Sequence, residues 1–287
     1  MDEAGHLSRR RRGQANRRRN RLQALRLPER LITAIIGALL SAAIAVVAYR
    51  ARALSRSGAI AATLVGITAV SAGWRWGVLL VAFFLSSTAL SMIGARRKAR
   101  LVDAILVKTG PRDAWQVLAN GGIFGAAAAA SIVSTSPSWS ALGIGALAAS
   151  TADTWATEVG TLLGGEPRSI VSGERVPPGT SGGISVAGSA ASLAGAAFIA
   201  VLAPLTAWDA PFHAIAAGGV AGALVDSLLG ATVQERYRCD ACGAPTEQPV
   251  HRCGERARHA GGIRGLDNDG VNVLCSLVGA LVALVMS

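Results

Sequence analysis

Aromatic residues make up only 5% of this 287-residue chain, and cysteine occurs four times. Four thiols over such a length do not make a disulfide framework. Charged residues are also few, at 16%, and several runs of about 18 residues carry almost none. Such runs exclude an ordinary soluble globule. Ala and Gly are abundant in them; hydrophobic residues reach 51% and mean hydropathy is +0.43. The composition is that of an all-α, polytopic membrane bundle whose small residues permit close helix contact.

The formal charge of +11 is uneven: residues 1–30 hold ten Arg against three acids, or +7, which leaves +4 for the rest. The excess is mostly one tail, so it gives no reason to expect a nucleic-acid partner. Arg9–Arg12 and Arg17–Arg19 form its core. Without apolar periodicity, the tail is expected to be disordered or to lie on anionic headgroups. It does not read as a secretory signal, because the run Leu31–Tyr49 is long enough to span and no small-residue cleavage site follows.

Eight apolar segments are predicted, at 31–49, 57–73, 76–94, 117–135, 140–163, 183–204, 212–233 and 267–286. Seven or eight of them are expected to cross fully; 57–73, with Gly58 and Gly66, is the weakest. Loops at 50–56, 95–116, 164–182 and 234–266 carry three, six, two and six Lys or Arg. The intervening loops carry only Arg75. Alternating crossings put the four basic loops on one side, expected to be cytoplasmic by the positive-inside rule. In a bacterium the membrane would be the plasma membrane. Eight full crossings put the tail on the other side despite its arginines, so its side stays open.

Polar chemistry gathers beside those loops. Asp153 and Glu158 lie inside the fifth segment, with Thr154 and Thr157 between them. Acids at membrane depth turn inward and bind a cation, a proton or each other. Hard oxygen ligands suit magnesium bridging phosphates; an interhelical hydrogen-bond network without chemistry is the bland alternative. The loop that follows ends in PPGTSGG, where Gly179, Gly182 and Gly183 allow close backbone approach and Thr180 and Ser181 supply hydroxyls. With Arg168 upstream and a helix starting nearby, it suits an anion.

Asp226 lies in the seventh segment, and Asp267, Asn268, Asp269 and Asn272 crowd the start of the eighth. An N-cap role competes for Asp267 or Asp269. Arg112, Gln116 and Asn120, four apart, share a helix face. Its loop parity lets Arg112 and Asn120, with Asp226 and Asp269, converge on the Gly/Thr loop. Cys239-x-x-Cys242 and His251-x-Cys253 offer four soft ligands in 15 residues, suited to a structural, tetrahedral zinc in the 234–266 loop. Reduced free thiols are the alternative.

The motif order GPRDAWQVLANGG, ADTWATEVG, PRSI, VPPGTSGGIS, DSLLGATVQ, CDACG, HRCG and LDNDGVN resembles an integral-membrane family long labelled a domain of unknown function. That family includes plant phytyl-phosphate kinase and animal transmembrane protein 19. The resemblance covers about residues 31–287, and it implies that they form one membrane-embedded catalytic domain. It implies a CTP- or other nucleotide-dependent kinase that converts a prenyl monophosphate into the diphosphate. A more distant similarity is to CDP-diacylglycerol synthases and polyprenol kinases, in which a loop lysine accompanies membrane-embedded acids. No lysine stands in the loop here, so Arg168 or Arg175 would have to supply that charge. Asp153, Glu158 and Asp226 are thus expected as the metal-holding, catalytic acids. Arg112, Asn120, Arg168, Gly179, Thr180, Ser181, Gly182, Gly183, Asp269 and Asn272 are expected around the phosphates. An ion-coupled transporter and a CDP-lipid-forming nucleotidyltransferase are the other readings.

Overall fold

The computed structural model describes residues 31–102, 110–251 and 253–287. The tail read at 1–30 lies outside them. Among the described residues, six helices are long and apolar enough to cross a membrane: α1 (Leu31–Arg50), α3 (Trp74–Met92), α5 (Ala114–Val133), α7 (Val186–Leu205), α8 (Phe212–Thr232) and α9 (Asn268–Met286). Helix α2 (Arg56–Ala72) has 17 residues, and α6 (Ser138–Leu163) has 26. Together they occupy the eight predicted segments. A further helix, α4 (Ala95–Val102), lies in what the sequence marked as a basic loop.

Helix α6 is the axis of the bundle. It packs against α3, α4, α5, α7, α8 and α9. Every residue from Gly143 to Ala152 is buried. This surround explains how α6 carries Asp153 and Glu158 at membrane depth: its neighbours, not lipid, cover it. Small residues make the approach possible. A Cβ on Gly195 of α7 would stand 3.0 Å from the Thr151 carbonyl oxygen of α6, and one on Gly222 of α8 would stand 2.7 Å from the Cys275 carbonyl oxygen of α9. The hydroxyl of Ser150 bonds to the Asn120 carbonyl at 2.8 Å and to the Ser276 hydroxyl at 2.9 Å. That network ties α5, α6 and α9 together.

The two ends of the bundle differ. At one end, Trp76 stacks edge-on against Phe124 and Trp208, at centroid distances of 5.1 and 5.0 Å. Ile144, Ile199 and Ile215 fill the space beside them. At the other end the basic loops meet. The Ser55 amide donates to the Arg112 carbonyl at 3.0 Å, joining the first two loops. The third loop forms a short hairpin of β1 (Arg168–Ser169) and β2 (Gly183–Ile184). The fourth forms a three-stranded sheet in the order β4 (Pro245–Thr246), β3 (Arg236–Cys239), β5 (Ala257–Gly261). The predicted grouping of these loops on one side matches this arrangement.

Candidate functional site

A cavity of about 450 Å³ opens among α5, α6, α7, α8, α9 and the 164–185 loop. Asp153 and Asp226, 73 positions apart in the chain, line it and face one another within hydrogen-bonding reach. Oδ2 of Asp226 is buried and has no hydrogen-bond partner among the described residues. Two carboxyls so placed must share a proton or bind a cation, because like charges in contact repel. Asn120 from α5 and Asn268 and Asn272 from α9 add amide groups to the same wall. These are hard oxygen donors that fit a divalent cation such as magnesium.

The opposite wall is the Gly/Thr loop. Gly179, Thr180, Ser181, Gly182 and Gly183 all line the cavity. Gly182 takes φ +76°, and a Cβ there would meet the Ser227 carbonyl oxygen and the Ala231 amide nitrogen at 2.6 Å. Only glycine lets the loop lie this close to α8. The N-terminus of α7, capped by Ser185, begins directly after the loop. The Thr180 hydroxyl donates to the Pro177 carbonyl at 2.8 Å, which keeps the turn closed.

Other predicted residues fall differently. Glu158 lines the cavity but is already engaged: Lys98 Nζ pairs with Oε2 and the Ser91 hydroxyl bonds to Oε1. Arg112 Nη2 reaches the same Ser91 hydroxyl at 3.0 Å. Burial pulls the Arg112 pKa down, and the charge of Glu158 opposes this. Arg168 is exposed, and its guanidinium holds the Gly173 carbonyl at 2.8 Å, outside the cavity. Arg175 pairs with Glu166 on the surface at 2.7 Å. Neither supplies charge to the cavity wall. Asp269 is buried in the first turn of α9, whereas Asp267 is the N-cap.

Sequence reasoning missed Lys98. It read as one of six cations in a basic loop, yet it is only 8% exposed and also donates to the Leu90 and Ser91 carbonyls at 2.8 and 3.0 Å. Glu247 was missed as well. Its carboxylate accepts from the Ser181 hydroxyl, which in turn accepts from Gln234 Nε2 at 3.0 Å. Burial pushes the Glu247 carboxyl pKa up. No local pattern marks either residue, because each owes its role to elements distant in sequence.

Glu247 follows β4, so it ties the Gly/Thr loop to the Cys/His sheet. At the turns of that sheet Cys239, Cys242, His251 and Cys253 bring their ligand atoms within 4.8 Å of one another. The Cys239 and Cys253 sulfurs are 3.6 Å apart, and His251 Nδ1 lies 3.4 Å from Cys242 Sγ and 3.1 Å from Cys253 Sγ. Zn–S bonds of about 2.3 Å in a tetrahedron put sulfurs roughly 3.7 Å apart, so the set can hold zinc. Gly243 and Gly254, at φ +67° and +88°, close the two turns that present the ligands. Backbone N–H groups, that of Cys242 first, lower the Cys239 thiol pKa toward the thiolate a metal needs.

Residues 39–280 match the model of a family described as "Integral membrane protein DUF92". The chain is 33% identical over 290 residues to Protein PGR of Arabidopsis thaliana, covering 90% of this chain and 96% of that one. It is 29% identical over 262 residues to an uncharacterised membrane protein of Methanocaldococcus jannaschii, with the same shares covered. An uncharacterised membrane protein of Synechocystis is 30% identical over 175 residues, covering 58% of this chain and 66% of that one. No solved structure matches.

Proposed function

We infer that this chain, which belongs to the DUF92 family of integral membrane proteins, is a nucleotide-dependent kinase that phosphorylates a prenyl monophosphate. The observation that supports this most is the juxtaposition of a half-buried acid pair, Asp153 and Asp226, with a Gly/Thr loop across one cavity. Phosphoryl transfer needs chiefly positioning and charge stabilisation. In the proposed reaction an oxygen of the lipid phosphate attacks the terminal phosphorus of the nucleotide. That O–P bond forms, the bridging P–O bond breaks, and the nucleoside diphosphate leaves. The acceptor is already anionic, so no side chain need take a proton from it.

Asp153 and Asp226 would hold a divalent cation, magnesium by donor type, which when bound would offset the phosphate charge. The loop backbone and the start of α7 orient the nucleotide phosphates, while the Thr180 and Ser181 hydroxyls, donated to Pro177 and Glu247, hold the loop in shape. Glu158 holds Lys98 in place and so belongs to the charge framework, not to the acid pair. The donor would be CTP or another nucleoside triphosphate, bound from the cytoplasmic side. The end opposite the cavity is filled by Trp76, Phe124 and Trp208. A site closed at one end suits an enzyme that meets a soluble donor and a lipid acceptor.

Purified protein in nanodiscs, incubated with prenyl monophosphates and labelled CTP, UTP or ATP, tests this. Label from the terminal phosphate appearing in the prenyl diphosphate is the expected result. CMP on the lipid would instead make it a nucleotidyltransferase, and no turnover with any lipid would leave the ion-coupled transporter.

The Cys/His set would carry a structural zinc that fixes the sheet from which Glu247 reaches Ser181. About one zinc per chain is expected by elemental analysis, dropping several-fold in Cys242→Ser or Cys253→Ser. An unchanged, sub-stoichiometric zinc content in all three proteins would leave the residues as free thiols.

A further inference from the structure

A second space adjoins the polar cavity. It measures about 110 Å³ and is lined mainly by apolar side chains of α1, α2, α3 and α5, among them Ile44, Val65, Val81 and Phe84. On this measure a water needs only about 10–15 Å³, so the slot admits a short stretch of one hydrocarbon chain. It is not uniformly apolar. One end is formed by Arg112, Gln116, Asn120 and Thr154. Asn120 and Thr154 also line the larger cavity, so the two spaces share a wall.

The charge at this junction is unbalanced. Glu158 faces two cations, Lys98 directly and Arg112 through the Ser91 hydroxyl. Among the described residues, it is the carboxylate whose charge reaches Arg112. One negative group between two positive ones leaves a net positive charge next to an apolar slot, and an anion would balance it. A slot for one chain, capped by a guanidinium that shares one carboxylate with Lys98 among the described residues, is complementary to a single-chain amphiphile with an anionic head. A two-chain phospholipid presents the wrong shape.

We propose that this slot, with Arg112 at its polar end, is the acceptor subsite: it seats the phosphate of a single-chain lipid against Arg112 and its first carbons among α2, α3 and α5. The rest of a long chain runs into the bilayer. The nucleotide occupies the larger cavity, and the two phosphates meet across Asn120 and Thr154. The assignment rests on the phosphotransfer reading given above and adds which substrate lies on which side.

The test labels the wild-type protein in nanodiscs with a prenyl monophosphate bearing a diazirine in its first isoprene unit. Adducts are mapped by peptide mass spectrometry. Crosslinks in α2, α3 or α5, competed by unlabelled prenyl phosphate but not by phosphatidic acid, are expected. Two slot-filling variants, Ala62→Phe and Val81→Phe, are measured alongside Arg112→Gln. Each folded variant should raise KM for the lipid at least tenfold while KM for the nucleotide stays within twofold. Labelling confined to α7 or α8, no specific labelling, or an unchanged lipid KM in the folded variants overturns the assignment. Specific labelling of the slot without phosphoryl transfer to any lipid would defeat the kinase reading alone. Transfer with labelling elsewhere would defeat the subsite alone.

Discussion

Asp153→Asn is expected to reduce turnover by about a thousandfold or more, the loss of several kcal/mol of charge stabilisation at a metal-held phosphate. The substitution keeps shape and removes one charge from the pair it forms with Asp226. The protein should remain in the membrane and folded, because Asp153 stands at a cavity wall and not in the fully buried Gly143–Ala152 core of α6. A second readout is independent of activity. Two facing carboxylates repel when both are ionised, and a cation between them relieves this. Wild-type protein should therefore melt at a higher temperature as magnesium is added. A gain of about 2.7 kcal/mol is expected when magnesium is present at 100 times its Kd. In Asp153→Asn the metal-free protein should be at least as stable as wild type, and the magnesium response should vanish. Retained turnover, or an intact magnesium response, would remove Asp153 from the site.

The acid pair also marks how far the sequence could be read. All eight apolar segments became helices, because runs of 17 or more apolar residues leave the backbone little alternative in a membrane. Even the weakest, 57–73, falls in a helix, and its glycines serve packing. Gly58 packs against the Arg112 carbonyl and Gly66 against Ser41. Asp153, Asp226 and the Gly/Thr loop stood out as expensive or unusual residues where they occur. Arg168 looked equally functional, but β1 turns its guanidinium back onto Gly173. Lys98 and Glu247 looked ordinary. A lysine beside other cations and a glutamate between a Cys-x-x-Cys and a His-x-Cys pair read as solvated loop residues. Their burial depends on α4 packing against α6 and on the Cys/His sheet reaching Ser181. Side chains whose role comes from tertiary placement carry no local signature.

Lys98 is the site of the second large effect. Lys98→Met should destabilise the protein by about 3–5 kcal/mol, because it leaves Glu158 partly buried and without its cation. The side chains of this pair are only 10% and 21% exposed, so solvent screening discounts that figure little. Glu158→Gln should be milder, since Lys98 keeps the Leu90 and Ser91 carbonyls as acceptors. The double variant Lys98→Met/Glu158→Gln should recover most of the loss, because no uncompensated charge remains. Thermal melts of the four proteins in one detergent measure the coupling; additive losses would show that the pair is not the source. The same set separates two roles for Glu158. As a framework residue, its replacement by Gln should leave turnover within about tenfold of wild type, a loss of no more than roughly 1.4 kcal/mol in the barrier. As a metal ligand, Glu158→Gln should fall as far as Asp153→Asn and lose the magnesium-dependent rise in melting temperature. The geometry favours the first outcome: both Glu158 oxygens already have partners, whereas Asp226 retains a buried oxygen with none among the described residues.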